Sequence, residues 1–292
     1  MVLSESAPSS ATLTRPVTDS KPTRVVAVTG GKGGVGKTNI CANLGVALAR
    51  RGKDVMLLDA DLGLANVELL LGLESTHNLS HVLNGEIELE DIVIAGPAGM
   101  KIVPGSSGIA RMAALSQAEQ AGLVQAFSEL RTPIDFFLVD TAAGITADVI
   151  TFTRAAQEVV VVVCDEPASL TDAYALIKVL SRDHGVERFH IVANMVGNTY
   201  EGRKLFRKLC SVTDRFLDVV LAFLGAVPYD EQLRKAVQRR CAVADAFPRS
   251  RAAASFDQLA SVLESWPRPT VARGHLEFFM ERVLQAQLSA LR

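Results

Sequence analysis

No apolar run in this 292-residue chain reaches the length of about 18 residues that a membrane-spanning helix needs, so no segment is expected to cross a bilayer. Cysteine is scarce and scattered. Cys41, Cys164, Cys210 and Cys241 include no C-x-x-C pair, and lone thiols so far apart read as buried small apolar residues in a reducing compartment. Neither sign of charge is in excess. The 30 Lys and Arg stand against 32 Asp and Glu, a formal net charge of -2, which removes any whole-surface attraction to DNA or RNA. Met1 to Pro22 are rich in Ser, Thr and Pro and lack the apolar core of a secretory signal. With so little to bury against the entropy of ordering, residues 1–23 are expected to be disordered and the protein cytoplasmic. No internal repeat is visible. The first plausible boundary is Trp266-Pro267-Arg268-Pro269, where a helix must stop. A single domain is therefore expected over 24–266, with a linker and an amphipathic helix over 267–292.

Apolar residues make up 49% and charged residues 21%, the balance of an ordinary globular domain. Short β-branched runs at Val25–Val28, Val55–Leu58, Met100–Val103, Phe136–Val139, Val159–Cys164, Phe189–Ala193 and Leu221–Val227 do not alternate strictly. Parallel strands buried on both faces read this way. Helical patterns fall between them at Asn39–Arg50, Gln117–Glu129, Ile145–Ala156, Ser169–His184 and Glu201–Val219. This alternation predicts an α/β fold with a doubly wound, mostly parallel sheet.

The first strand-to-helix turn carries Gly31-Lys32-Gly33-Gly34-Val35-Gly36-Lys37-Thr38, which satisfies G-x-x-x-x-G-K-[ST] in the strand–loop–helix context that the motif requires. Its glycines let backbone N–H groups approach phosphate, and the following helix adds its positive end. Lys37 is expected at the β/γ-phosphates of a nucleoside triphosphate and the Thr38 hydroxyl directly on Mg²⁺. The second strand runs into Asp59-Ala60-Asp61-Leu62-Gly63-Leu64-Ala65-Asn66. Carboxylates one residue apart at a strand's C-terminal end could cap the next helix, but beside a phosphate loop they are better read as facing the ligand. The Phe136–Val139 strand closes on Asp140-Thr141-Ala142-Ala143-Gly144. Asp140 there suits a water-mediated Mg²⁺ contact and Gly144 a γ-phosphate sensor.

The second lysine, Lys32, makes the loop resemble the deviant Walker A motif of the MinD/ParA ATPases. The Asp59–Asn66 and Asp140–Gly144 stretches resemble the two switches of the MinD branch. Further stretches resemble the flagellar number regulators of that branch: Val163-Cys164-Asp165-Glu166-Pro167, Thr171 to Lys178, Val227-Pro228-Tyr229-Asp230-Glu231, Arg234-Lys235-Ala236-Val237 and Gly274 to Phe279. The resemblance spans roughly residues 24–285. It implies a MinD-like P-loop ATPase that forms a face-to-face homodimer on ATP, with Lys32 reaching the partner's phosphates. It also implies that Asp61 positions the attacking water, Asp59 supports Mg²⁺ and Asn66 acts as the switch asparagine. Asn194 is implied as an adenine contact, aided by backbone at Pro228, Tyr229 and Asp230. The implied role is a slow ATPase that restrains a flagellar enhancer-binding transcription activator (FleQ type). A signal-recognition-type GTPase (FlhF) is a further implied partner, although residues 1–23 hold no counterpart of the Asp-Gln-Ala…Leu-Arg segment that stimulates it. The alternatives are a positioning ATPase acting at membrane or nucleoid and a P-loop metabolic enzyme; for the latter no substrate-binding constellation is found between Leu79 and Arg131. The cysteine spacing does not match the cluster of the nitrogenase iron proteins, which share the phosphate loop.

Two surfaces invite partners. Arg203, Lys204, Arg207 and Lys208 share a predicted helix, and Arg234, Lys235, Arg239 and Arg240 the next basic stretch. A protein partner is favoured there over direct DNA binding. Leu276, Phe279, Met280, Val283, Leu284, Leu288 and Leu291 form an apolar stripe at helical spacing, expected to dock on a membrane or a partner, at the inner membrane or a cell pole. The other cover for the stripe is the protein's own core. His77 and His81 are four apart, but with no third ligand they read as helix surface.

Overall fold

A computed structural model describes residues 22–106, 112, 115–130, 132–267 and 277–284. Its centre is a sheet of eight strands among the described residues: β1 (Arg24–Thr29), β2 (Val55–Ala60), β3 (Ile94–Ala95), β4 (Lys101–Val103), β5 (Phe136–Thr141), β6 (Glu158–Val163), β7 (Arg188–Val196) and β8 (Val220–Pro228). The order is β3-β4-β2-β5-β1-β6-β7-β8. All neighbours are parallel except β3, which runs antiparallel to β4. β1, β2 and β5 are buried along their whole length. Their continuous apolar runs are what a sheet covered on both faces demands.

Alternate side chains of each strand enter opposite cores. Val26 and Val28 face α1 (Lys37–Arg50), α2 (Val67–Leu71), α8 (Glu231–Gln238), α9 (Val243–Ala246) and α10 (Arg251–Ser265). Val25 and Ala27 face the core shared with α3 (Leu79–Leu83) and α4 (Gln117–Glu129). α5 (Ala147–Arg154), α6 (Pro167–Arg182) and α7 (Thr199–Thr213) complete that second face. The chain runs from β1 to β2 on one side of the sheet and from β6 to β7 on the other, so the loop after β1 opens where strand order reverses, the usual ligand crevice of such sheets.

α4 runs as the spacing predicts and starts from a capping box of Ser116 with Glu119, while α1 starts two residues before its pattern. α7 ends at Thr213, short of the predicted Val219, with Asp214 as its C-cap donating its N–H to Cys210 O (2.9 Å) before the chain turns into β8. Two other boundaries differ. Thr23 belongs to the fold, fully buried with its hydroxyl donating to Ile134 O at 2.9 Å. Residues 277–284 pack against the domain instead of standing off behind a linker. Residues 1–21, for which disorder is expected, lie outside the described residues.

Candidate nucleotide site

The phosphate loop, residues 30–36, is shaped by several constraints. Gly36, the residue before α1, has φ +91, and a Cβ there would lie 2.4 Å from Asn194 Nδ2. Gly31 is required by packing: its Cβ would lie 2.2 Å from the backbone of Asp172 in α6. Around Gly33 and Gly34 there is open space, with Gly34 at φ +81. α1 begins with no side-chain cap and no acidic residue in its first turn. Its unpaired N–H groups and positive dipole end are thus left for an anion. The loop opens on a cleft of about 760 Å³ lined by Lys37, Thr38, Asp61, Asn66, Ala143 and Arg240, among others.

Beneath it lie the charges. Asp59 and Asp140 are register partners on β2 and β5, both buried. Burial pushes the Asp59 carboxyl up to about 7, against three backbone N–H donors that favour its charged form. Asp140 is driven well above the carboxylate range by burial and by Asp59, which the nearby Thr38 hydroxyl and Lys37 offset only in part. Neither Asp140 oxygen has a sound hydrogen bond. Burial lowers Lys37, while Asp140 and Asp61 act in the opposite sense. Two buried carboxyls side by side ionise together only beside a further cation. No cluster of three or more His, Cys, Asp or Glu among the described residues could hold a metal alone. The open Asp140 oxygens beside the Thr38 hydroxyl and the phosphate loop fit Mg²⁺, which characteristically completes its shell from phosphate and water.

Asp59 also does what the capping alternative allowed. Its Oδ2 accepts from the N–H groups of Asn66 (2.8 Å) and Val67 (2.9 Å), and its Oδ1 from Asp61 (3.2 Å). One carboxylate thus anchors the 61–67 loop and starts α2. Asp61 is half-buried on the cleft wall and accepts from Leu64 N–H at 3.3 Å. The Asn66 amide donates to Leu64 O. Gly144, at φ +96, donates its N–H to Gly30 O at 3.1 Å, which ties the second switch stretch to the phosphate loop.

Next to the cleft, a cavity of about 240 Å³ is walled by Ile40, Asn194, Met195, Pro228, Tyr229 and Leu233. The Asn194 Nδ2 donates to Val35 O (2.8 Å). The Asp230 carboxylate is engaged elsewhere, capping α8 through Gln232 N–H (2.8 Å) and accepting from Ala252 N–H (3.0 Å). The Tyr229 N–H donates to Val196 O (2.8 Å) and its carbonyl accepts from Arg251 (3.0 Å). Sequence reasoning missed Met195, whose positive φ of 56 sits at a register shift between Asn194 and Val196. It also passed over Arg240 as a cleft residue; a repeated basic pair after a helix gives no phosphate signal.

Lys32 does not line the cleft and is paired with Glu166 of its own chain, which holds its ammonium above the usual lysine range. The basic residues do not form uniform faces: Arg203 lies over Phe223, Lys208 pairs with Asp165 (3.1 Å) and Arg239 lies over Phe247. His81 is part of the α3 cap, its ring nitrogen accepting from Asn78 N–H at 3.2 Å.

The C-terminal stripe departs from expectation. Phe279 and Val283, read as membrane or partner residues, are fully buried, as is Phe278. Phe278 meets Phe127, Phe137 and Phe152, and Phe279 meets Phe137. Arg282 fixes the segment with hydrogen bonds to Thr23 Oγ1 (3.0 Å) and to the carbonyls of Leu130 and Thr132. Of the described stripe residues, the domain covers Phe279 and Val283, while Leu288 and Leu291 lie outside the described residues. Met280 is half-buried, Leu284 is exposed, and Leu276 lies outside the described residues. No helix among the described residues is long and apolar enough to cross a membrane.

The family model for the CobQ/CobB/MinD/ParA nucleotide-binding domain matches residues 26–242. The antiactivator FleN of Pseudomonas aeruginosa is 58% identical over 264 residues, covering 90% of this chain and 94% of that protein. MinD of Pyrococcus horikoshii, solved with Mg-ADP, superposes with a TM-score of 0.70 at 26% identity, covering 83% of this chain and 96% of that one. A MinC:MinD complex from Aquifex aeolicus superposes with a TM-score of 0.68 at 25% identity, covering 86% and 99%. With the phosphate loop, the paired buried aspartates and the sheet order all in place, the chain belongs to the MinD/ParA family of nucleotide-binding proteins.

Proposed function

We propose that this protein is an ATP-gated antiactivator. It binds ATP with Mg²⁺, closes into a face-to-face homodimer, restrains a flagellar enhancer-binding transcription activator of the FleQ type and resets by slow hydrolysis to ADP and phosphate. The observation that carries the nucleotide reading is the buried Asp59–Asp140 pair beside Lys37 and Thr38, with both Asp140 oxygens unused. Thr38 would ligate the cation and Asp59 and Asp140 would hold its water. Bound there, Mg²⁺ neutralises charge on the phosphates. The open N–H groups of the loop and α1 hold the phosphates, Lys37 meets their charge, and Asn194 contacts the base.

Asp61, on the cleft wall, orients the attacking water. Because Asp59 anchors the 61–67 loop, any shift at the cation is passed to Asp61 and Asn66 through one carboxylate. Lys32, paired with Glu166 on the surface, would leave that pair to reach a partner subunit's phosphates once dimerisation brings them near. The FleN relative supports the antiactivator role, since the similarity runs through 90% of the chain, well past the residues of the nucleotide site. FlhF remains a second partner on the resemblance alone. Peripheral membrane binding by the C-terminal stripe would require Phe279 and Val283 to leave the core.

The test is capture of purified, folded activator with and without ATP, with Lys37→Ala as control. ATP-dependent capture by wild type and none by the variant is expected. Failure to capture in every nucleotide state would remove the antiactivator reading and favour a positioning ATPase.

A further inference from the structure

One cation in the cleft is not used by the phosphate-loop chemistry. Arg240 lines the same cleft as Lys37, Thr38 and Asp61 but comes from the end of α8. Val237, one turn earlier, lines both this cleft and the adjoining base cavity. The stretch from Val237 to Arg240 therefore borders the joint where the sugar and first phosphates of a nucleotide would pass.

The backbone at Arg240 is unusual for its residue type. α8 ends in two bonds, Arg240 N–H to Val237 O (3.0 Å) and Cys241 N–H to Ala236 O (3.1 Å), which define a Schellman stop. Arg240 takes its left-handed position at φ 53, where glycine is the residue that fits without strain. Stopping the helix does not need an arginine. The conformation is also clamped: a Cβ on Gly72 would lie 2.7 Å from Arg240 O. Gly72, at φ +67, ends α2, the helix that Asn66 and Asp59 start. Strain held in place beside a ligand cleft is a recurrent mark of a functional position.

The side chain points the same way. Arg234 lies 3.7 Å from Glu231, and Arg239 lies over Phe247 with 5.0 Å to the ring centroid. The exposed Arg240 guanidinium has no ion pair or hydrogen bond among the described residues. Lys235 and Arg239 already serve the C-terminal dipole of α8. We propose that Arg240 binds the sugar–phosphate portion of the adenine nucleotide in its own subunit. Its planar fork would take phosphate oxygens from the side opposite the helix-end contacts of Lys37. This rests on the nucleotide reading above and adds to it a ligand from outside the phosphate loop, tied through Gly72 to the end of α2.

Calorimetry with Mg-ADP on the full chain tests it, because ADP avoids coupling to ATP-driven dimerisation. Arg240→Gly keeps the left-handed backbone and relieves its strain while removing the guanidinium. Its Tm should hold or rise while its Kd for ADP weakens by about tenfold or more, with Arg240→Lys in between. Wild-type affinity in Arg240→Gly, with Lys37→Ala impaired, would overturn the assignment and leave the nucleotide site standing. Weakened binding together with a lowered Tm and no rescue by lysine would also overturn it, making the residue structural. Unchanged ADP affinity in Lys37→Ala would overturn the nucleotide reading itself.

Discussion

At the phosphate end of the sheet, one strand–loop–helix turn brings together residues only a few positions apart: Gly31, Gly36, Lys37 and Thr38. Residues 277–284 are built the other way. The neighbours of Phe278 and Phe279 are Phe127, Phe137 and Phe152, supplied by α4, β5 and α5 far earlier in the chain. The loop's geometry is dictated by its own glycines and the start of α1, so spacing alone predicts what it can hold. An apolar stripe states only that something must cover it. Whether lipid, partner or core does so is decided by tertiary packing, which here leaves an aromatic cluster open for it.

The contrast can be broken at either end. The largest effect is expected from Lys37→Ala, which should eliminate measurable nucleotide binding while circular dichroism shows the fold retained. Undiminished affinity by calorimetry would deny the loop its role. Phe278→Ala should do the opposite, lowering unfolding free energy by about 3–5 kcal/mol and leaving ADP affinity unchanged in denaturant titration and calorimetry. A variant as stable as wild type would mean that the segment does not occupy the core.

A smaller effect comes from the buried acids. Asp59 and Asp140 bind protons more tightly folded than unfolded, so the stability they contribute to the apo protein is lost as pH rises from about 4 to the Asp59 value of about 7. Mg-ATP should oppose this fall, and Asp140→Asn should flatten it. A Tm of the apo protein that climbs steadily across that window, unchanged by the substitution, would contradict the placement of these groups. The smallest change is Glu166→Gln. It should leave Tm unmoved, since the pair is exposed, yet raise ATP turnover by freeing Lys32. Turnover equal to wild type would reduce the Lys32 contact to surface decoration.

The same division governs what could be read from the chain. The doubly wound sheet was legible because β-branched runs and helical patterns alternate at the right lengths; α4 begins and ends where its pattern does, and α1 starts two residues before its pattern. The short α2 was not legible, and α3 only as a helical surface for His77 and His81, of which His81 alone lies on it. Helices of five residues are too short to overcome nucleation; one starts on the carboxylate of Asp59 and the other on Asn78 with His81. In the site, Lys37, Thr38, Asp59, Asp61 and Asp140 announce themselves by motif. Asp59 as the loop's anchor, the engagement of Asp230 by two helix starts, and Arg240 on the cleft do not, because each depends on a contact between distant segments.

If triphosphate chemistry at this sheet edge sets the assembly state, Asp61→Ala exposes it most directly. With the water no longer positioned, bound ATP should persist. Light scattering coupled to size exclusion at saturating Mg-ATP should then show a stable dimer for Asp61→Ala, and a monomer for the same variant in ADP. A strictly monomeric Asp61→Ala protein that has been shown to hold ATP would contradict the account.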